Sequence, residues 1–360
     1  MRNFITTRDW SRSELQDILD YALTLKAQPF QPLLKNKSIA MLFFNPSLRT
    51  KTSFKIGISE LSGTAVILQP GKDAWSIEFK DKQVMDGEPE EHVKEVAEVL
   101  SSYCDCIAIR AFPKFIDWEL DRTDHVIKSF VKYSSVPVVN METIEHPCQE
   151  LAHLLTLQEH FGPLEGKEYL LTWTYHPKPL NTAVANSSLL IASKFGMNVT
   201  LLCPSESYHL DQRYLDAAKE NCSNENTSFN ISYDIAEAYS GKEIVYAKSW
   251  GSLENYGDAE EQSKQNNQYK NFIVDEQKMG LTKSAVFSHC LPLRRNVKAT
   301  DGVMDSDYCI AVAEAANRAS DSTWPPSTGT SGSNCAGEDG PGPGWPLRCH
   351  SPTGVSAARL

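Results

Sequence analysis

Short apolar runs and helix-period segments alternate along most of this chain, and that alternation constrains its fold more than any other feature. Ser38–Phe44, Ala65–Leu68, Cys106–Ile109 and Val136–Met141 read as strands. Between them Phe54, Ile58 and Leu61, then Val93, Val96, Ala97 and Leu100, then Val126, Ile127 and Phe130 recur at helical spacing. After Gly162 the pattern restarts, with strands expected at Tyr169–Trp173, Val199–Leu202, Ile244–Ala247, Phe272–Val274 and Ala285–Ser288 and helices around Asn181–Lys194 and Leu210–Glu220. Such alternation predicts an α/β chain whose parallel sheets carry helices on both faces. At 360 residues there is room for two doubly wound domains, 1–150 and 151–318, bridged by a helix carrying Leu151, Leu154 and Leu155.

Ligands of such sheets bind beyond the carboxyl ends of the strands. After Ser38–Phe44, the turn Asn45-Pro46-Ser47 leads to a helix expected to start near Ser47 or Leu48. This order aims backbone N–H groups and the positive end of a helix dipole at one point, a geometry suited to phosphate. Ser47, Thr50 and Thr52 add hydroxyls, and Arg49 adds a planar donor fork. The same residues also read as an ordinary serine N-cap followed by a polar first turn. Thr50, Arg110 and Glu142 all fall at or just past strand ends, which favours a site. Gln69–Glu90 lacks periodicity, and its Trp75 either fills a local pocket or covers a ligand.

The net charge of −11 argues against a nucleic-acid or anionic-membrane surface, while leaving room for a local basic pocket. No apolar leader or membrane-length stretch is read, and the nine scattered cysteines match no zinc spacing. Reduced thiols in a cytoplasmic protein without a metal or other cofactor are expected. A nucleotide-binding α/β fold lacks its signature here, since there is no Gly-x-Gly-x-x-Gly and no P-loop.

Ser47-Leu48-Arg49-Thr50, His146-Pro147-Cys148-Gln149 and His289-Cys290-Leu291-Pro292 occur in the order and spacing of the aspartate/ornithine transcarbamylase family, which the chain resembles from about Trp10 to Arg318. Within it, the stretches Pro70–Trp75, Arg110–Phe115 and Trp173–Asn181 resemble the branch acting on N-acetylornithine. Leu48 replaces the usual threonine, and Lys248-Ser249-Trp250-Gly251 stands where ornithine enzymes carry their own loop. The resemblance implies a homotrimer that moves the carbamoyl group of carbamoyl phosphate to N-acetyl-L-ornithine, and a knotted second domain through Tyr175–Leu180.

It also implies site roles. Ser47, Leu48, Arg49 and Thr50 hold phosphate, with Trp75 reaching in from a neighbouring subunit. Arg110 and His146 polarise the carbonyl, while Gln149, Cys290, Leu291 and Arg318 orient the carbamoyl amide, with Pro147 and Cys148 lining the same site. Glu142, Asn181, Lys248 and Leu291 bind the amino acid. Glu90 stands where the acetylornithine branch has glutamate and the succinylornithine branch proline. Lys298 matches a lysine that is carboxylated in relatives, although on residue type alone it reads as a solvated surface lysine.

Succinylornithine or free ornithine are the alternative amines. A catalytically impaired homologue is a further alternative, because the resemblance stops at Arg318. Glycine, proline and serine make up 20 of the 42 residues 319–360, so a disordered tail and an uncovered groove on the first domain are expected there.

Overall fold

The computed structural model describes the backbone of residues 2–321 and the side chains of residues 2–317. It holds two parallel sheets. The first comprises β1 (Ser38–Phe43), β2 (Thr64–Leu68), β3 (Cys106–Arg110) and β4 (Val138–Glu142), in the order β2-β1-β3-β4. The second comprises β5 (Glu168–Trp173), β6 (Asn198–Leu202), β7 (Phe229–Ser232), β8 (Ile244–Lys248) and β9 (Val286–Ser288), in the order β9-β8-β5-β6-β7. Every pairing within the two sheets is parallel, as the helix–strand alternation requires. Chain reversals therefore run through helices: α1 (Arg12–Ala27), α2 (Arg49–Glu60), α3 (Val93–Tyr103), α4 (His125–Tyr133), α5 (Pro147–Phe161), α6 (Ala183–Lys194), α7 (Gln212–Asn224) and α8 (Ala311–Asp321).

The local reasons are visible. Ser11 and Glu14 form a reciprocal capping box at the start of α1. Pro147 occupies the first turn of α5, where its missing N–H costs nothing, and Gly162 at φ 71° ends that helix. Residues 147–157 of α5 are all buried, so this is the expected bridging helix, enclosed rather than amphipathic. It packs against α6 and α8, and α8 also meets α1 and α2, so the helices of both sheets share one interior.

Two strand expectations needed correction. Phe272–Val274 is no strand of the sheet. Asn267–Phe272 forms a 3₁₀ stretch, and Val274 makes only an isolated bridge to Ala299. The run is apolar because Phe272 and Val274 are buried, and burial alone does not distinguish a strand from a packed turn. The fifth strand is instead β7, an edge strand whose Asn230 and Ser232 dilute its apolar signal. The predicted tail from Ala319 onward lies outside the described residues, except that the backbone of α8 continues to Asp321. Among the described residues no helix is long and apolar enough to cross a membrane.

Candidate active site

The carboxyl ends of β1, β3 and β4 carry the first half of the site. The turn after β1 is pinned to β3 twice: Phe44 N–H donates to Arg110 O at 3.0 Å, and Phe112 N–H donates to Asn45 Oδ1 at 2.7 Å. α2 begins at Arg49, with Leu48 at its N-cap position and 78% exposed. Ser47, one residue before that N-cap, accepts from Thr50 N–H through Oγ at 3.2 Å, so its hydroxyl serves the helix start. Thr50 is buried beneath the turn. The N–H groups of a first helical turn point out of its end, toward where an anion would sit.

Arg110 ends β3 and Glu142 ends β4. A register shift after Ile109 sets them directly opposite one another. Arg110 Nε and Nη2 donate to the same oxygen of Glu142, at 3.1 and 2.8 Å, and Nη1 donates to the carbonyls of Asn45 (3.4 Å) and Pro46. That leaves the second N–H of Nη2 for another acceptor, since a guanidinium has five. His146 Nε2 lies 3.6 Å from the shared Glu142 oxygen, and the His146 N–H is fixed by Ser187 Oγ at 2.8 Å. All three side chains are buried, which strengthens their electrostatic action on anything between them.

One helical turn on, Gln149 Nε2 donates to Glu314 Oε1 at 2.5 Å. Its own Oε1 is buried and has no hydrogen-bond partner among the described residues. Cys148 Sγ meets Asn140 O at 3.6 Å. Asn181 Nδ2 donates to Thr143 O at 2.8 Å while its Oδ1 accepts from Ala183 N–H at 3.0 Å, so this amide ties the two halves together with both of its polar atoms.

The second sheet supplies a cationic end. Lys248 closes β8, and the segment after β9 carries His289, Cys290 and Leu291, with Leu291 at φ 51° before a cis bond to Pro292. Leu291 N–H donates to His289 Nδ1 at 2.8 Å, and His289 Nε2 lies 3.5 Å from Lys298 Nζ. Burial pushes the His289 imidazole well below its ordinary range, and Lys298, Lys248 and Arg49 push it further. Arg49 of the first half thus sits within the electrostatic reach of the second half.

Lys298 corrects the surface-lysine expectation. It is 3% exposed, and burial with Lys248 nearby lowers its ammonium to about 7. Its segment is held in place because Val274 N–H and Thr174 Oγ1 both donate to Lys298 O, each at 2.8 Å. The Phe272–Val274 run therefore serves to seat this lysine.

Trp75 and Glu90 sit elsewhere, on the aperiodic segment. Two residue pairs there, Ile77–Glu78 with Glu91–His92, form a small parallel ribbon that brings Trp75 and Glu90 to the same end. Trp75 is 67% exposed and Glu90 is exposed. Arg318 lies on α8 with its side chain outside the described residues. The residue that sequence reasoning passed over is Glu314, whose apolar-looking helix Ala311–Asp321 gave no sign of a buried carboxylate.

A phosphate-suited helix start, an arginine–histidine pair, the buried Lys298 and the half-buried Lys248 gather toward the ends of two parallel sheets, an arrangement suited to a transferase handling an anionic donor. Residues 2–159 match the model of the aspartate/ornithine carbamoyltransferase carbamoyl-P binding domain, and residues 179–321 match that of its Asp/Orn binding domain. The chain belongs to the aspartate/ornithine carbamoyltransferase family. It is 61% identical over 320 residues to the N-acetylornithine carbamoyltransferase of Xanthomonas campestris pv. campestris, covering 88% of this chain and 94% of that one. It is 32% identical over 323 residues to the N-succinylornithine carbamoyltransferase of Bacteroides fragilis, covering 88% and 95%. Among solved structures, an acetylornithine transcarbamylase complexed with acetylcitrulline superposes with a TM-score of 0.88 at 60% identity, covering 89% of this chain and 97% of that one.

Proposed function

We infer that this chain transfers the carbamoyl group of carbamoyl phosphate to the δ-amine of N-acetyl-L-ornithine, giving N-acetyl-L-citrulline and phosphate, a step of arginine biosynthesis. The observation that carries the choice of amine is the gap between 61% identity to an acetylornithine enzyme and 32% to a succinylornithine one, each over nearly the whole comparable length.

The chemistry asks for little covalent work. The neutral amine attacks the carbonyl carbon, a C–N bond forms, the C–O bond to phosphate breaks, and the nitrogen loses a proton. Positioning and charge stabilisation supply the rate. Residues 1–150 present Ser47, Leu48, Arg49 and Thr50 to the phosphate. The remaining Nη2 N–H of Arg110 and the imidazole of His146 face the carbonyl oxygen as it becomes an oxyanion. A lost donor of this kind costs on the order of a hundredfold in rate. Gln149, the Cys290 and Leu291 carbonyls and Arg318 take the carbamoyl amide.

Residues 151–318 supply the cations for the amino acid. Lys248 pairs with the substrate carboxylate, and Glu142, with one oxygen committed to Arg110, offers the other. Lys298 is suited to carboxylation. His289 Nδ1 already accepts a hydrogen bond, so a neutral ring carries its proton on Nε2, 3.5 Å from the Lys298 nitrogen. A neutral amine accepts that proton contact and an ammonium does not. Attack of the amine on CO₂, with loss of one proton, makes a carbamate and turns repulsion from Lys248 into attraction. Exposed Trp75 and Leu48 support a homotrimer in which Trp75 completes a neighbour's site, and free cysteines among the described residues suit the cytoplasm.

The test is turnover of carbamoyl phosphate with N-acetylornithine, N-succinylornithine and ornithine by the full chain. A kcat/KM at least about a hundredfold higher for N-acetylornithine is expected, the discrimination a pocket reaches on side-chain size alone. Equal or higher turnover of either other amine overturns the choice.

A further inference from the structure

Glu314 is fully buried on α8, and among the described side chains Gln149 is the one assigned to substrate that hydrogen-bonds to its carboxylate. Its carboxylate accepts four hydrogen bonds. Oε1 takes Gln149 Nε2 at 2.5 Å and Tyr246 OH at 3.0 Å. Oε2 takes His153 Nδ1 at 2.8 Å and the Ser288 hydroxyl. His153 is fixed in turn by Tyr169 OH, 2.9 Å from its Nε2. The donors come from α5 (Gln149, His153), β8 (Tyr246) and β9 (Ser288), so one group joins the bridging helix to the second sheet.

The chemistry of this contact fixes the orientation of Gln149. A carboxylate only accepts, so the NH₂ end of the amide has to face it. The C=O end is then turned away, and it is the buried Gln149 Oε1 that has no partner among the described residues. A carbamoyl NH₂ offers only donors and needs such an acceptor. We propose that Glu314 is a positioning residue for carbamoyl transfer: it holds the Gln149 amide by its nitrogen, presents Oε1 to the carbamoyl nitrogen, and through Ser288 keeps Gln149 in register with the adjoining His289–Leu291 segment. The proposal rests on carbamoyl phosphate being the donor substrate.

Inorganic phosphate shares the phosphate site but has no carbamoyl nitrogen, so it separates positioning from general damage. KM for carbamoyl phosphate and the inhibition constant of phosphate are measured for the parent, Glu314→Gln and Glu314→Asp. In Glu314→Gln an NH₂ can face the Gln149 NH₂ and flip it. In Glu314→Asp the carboxylate withdraws by one methylene, and this variant carries the test if the amide variant does not fold. Each is expected to raise KM for carbamoyl phosphate about tenfold, one hydrogen bond's worth, with the phosphate constant unchanged within twofold. Tyr246→Phe, which removes a different donor to Glu314, leaves both constants within twofold. Adding Glu314→Asp to Gln149→Ala gives no further loss, because the route through Gln149 is already gone. Parallel loss of both ligands, or additive effects in the double variant, overturns the positioning role. A parent that turns over no carbamoyl phosphate overturns the functional reading and this proposal with it.

Discussion

Arg110 and Glu142 share a single oxygen: two guanidinium nitrogens reach Glu142 Oε2 at 3.1 and 2.8 Å, across strands whose register shifts by one residue to bring them opposite. Both residues are only 9% exposed. Removing one member of a buried pair strands the other charge, whereas removing both does not. Arg110→Ala is therefore expected to lower the unfolding free energy in urea by about 3 kcal/mol. The double variant Arg110→Ala/Glu142→Ala should recover most of that loss. Additive destabilisation would show that the pair is not coupled.

Arg49 and Arg110 are proposed to divide the donor substrate between them. Arg49 is the first residue of the helix proposed to meet the phosphate, while the Nη2 N–H that Arg110 does not give to Glu142 is proposed for the developing oxyanion. Arg49→Ala should mainly raise KM for carbamoyl phosphate. Arg110→Ala should mainly lower kcat, by on the order of a hundredfold. Steady-state kinetics with carbamoyl phosphate varied decides this, and the same change of KM and kcat in both variants would remove the division.

Much of this geometry is legible in the sequence. The alternation of apolar runs and helical stretches locates eight of the nine sheet strands, and the strand ends carry Arg110 and Glu142, because parallel sheets leave their carboxyl ends open for binding. What escapes is set by partners distant along the chain. Lys298 reads as a surface lysine because nothing near it reveals that Val274 and Thr174 hold its backbone inside. Glu314 draws no reading at all, since its four donors come from three elements at least 26 residues away. Phe272–Val274 shows the converse, an apolar run that is buried without being a strand.

Burial of Lys298 makes stability depend on pH in a defined direction. Its ammonium titrates near 7 in the fold against 10.5 as the ordinary value, so between these limits the unfolded chain binds more protons. The penalty for burying the charge is complete below about pH 7 and fades as pH rises toward 10.5. Lys298→Met should thus be more stable than the parent at pH 6.5, with the margin shrinking by pH 9.5, in CO₂-free buffer at roughly constant ionic strength. Urea midpoints read this directly, and a margin that widens with pH contradicts the assignment.

Trp75, 67% exposed at the end of its ribbon, is expected to act in a neighbouring subunit. Trp75→Ala should raise KM for carbamoyl phosphate several-fold while leaving the urea midpoint within about 0.5 kcal/mol of the parent, as for other exposed positions. Sedimentation should show a trimer for the parent. A fully active monomer would sink the shared site.

In the proposed reaction one carbon passes from carbamoyl phosphate to the δ-nitrogen of N-acetylornithine. Carbon-13 NMR with carbonyl-labelled carbamoyl phosphate follows that carbon directly. The label is expected to appear as the ureido carbon of N-acetylcitrulline in step with phosphate release, one for one. Phosphate released while the label goes to bicarbonate, or label entering ornithine or N-succinylornithine in preference to N-acetylornithine, would contradict it.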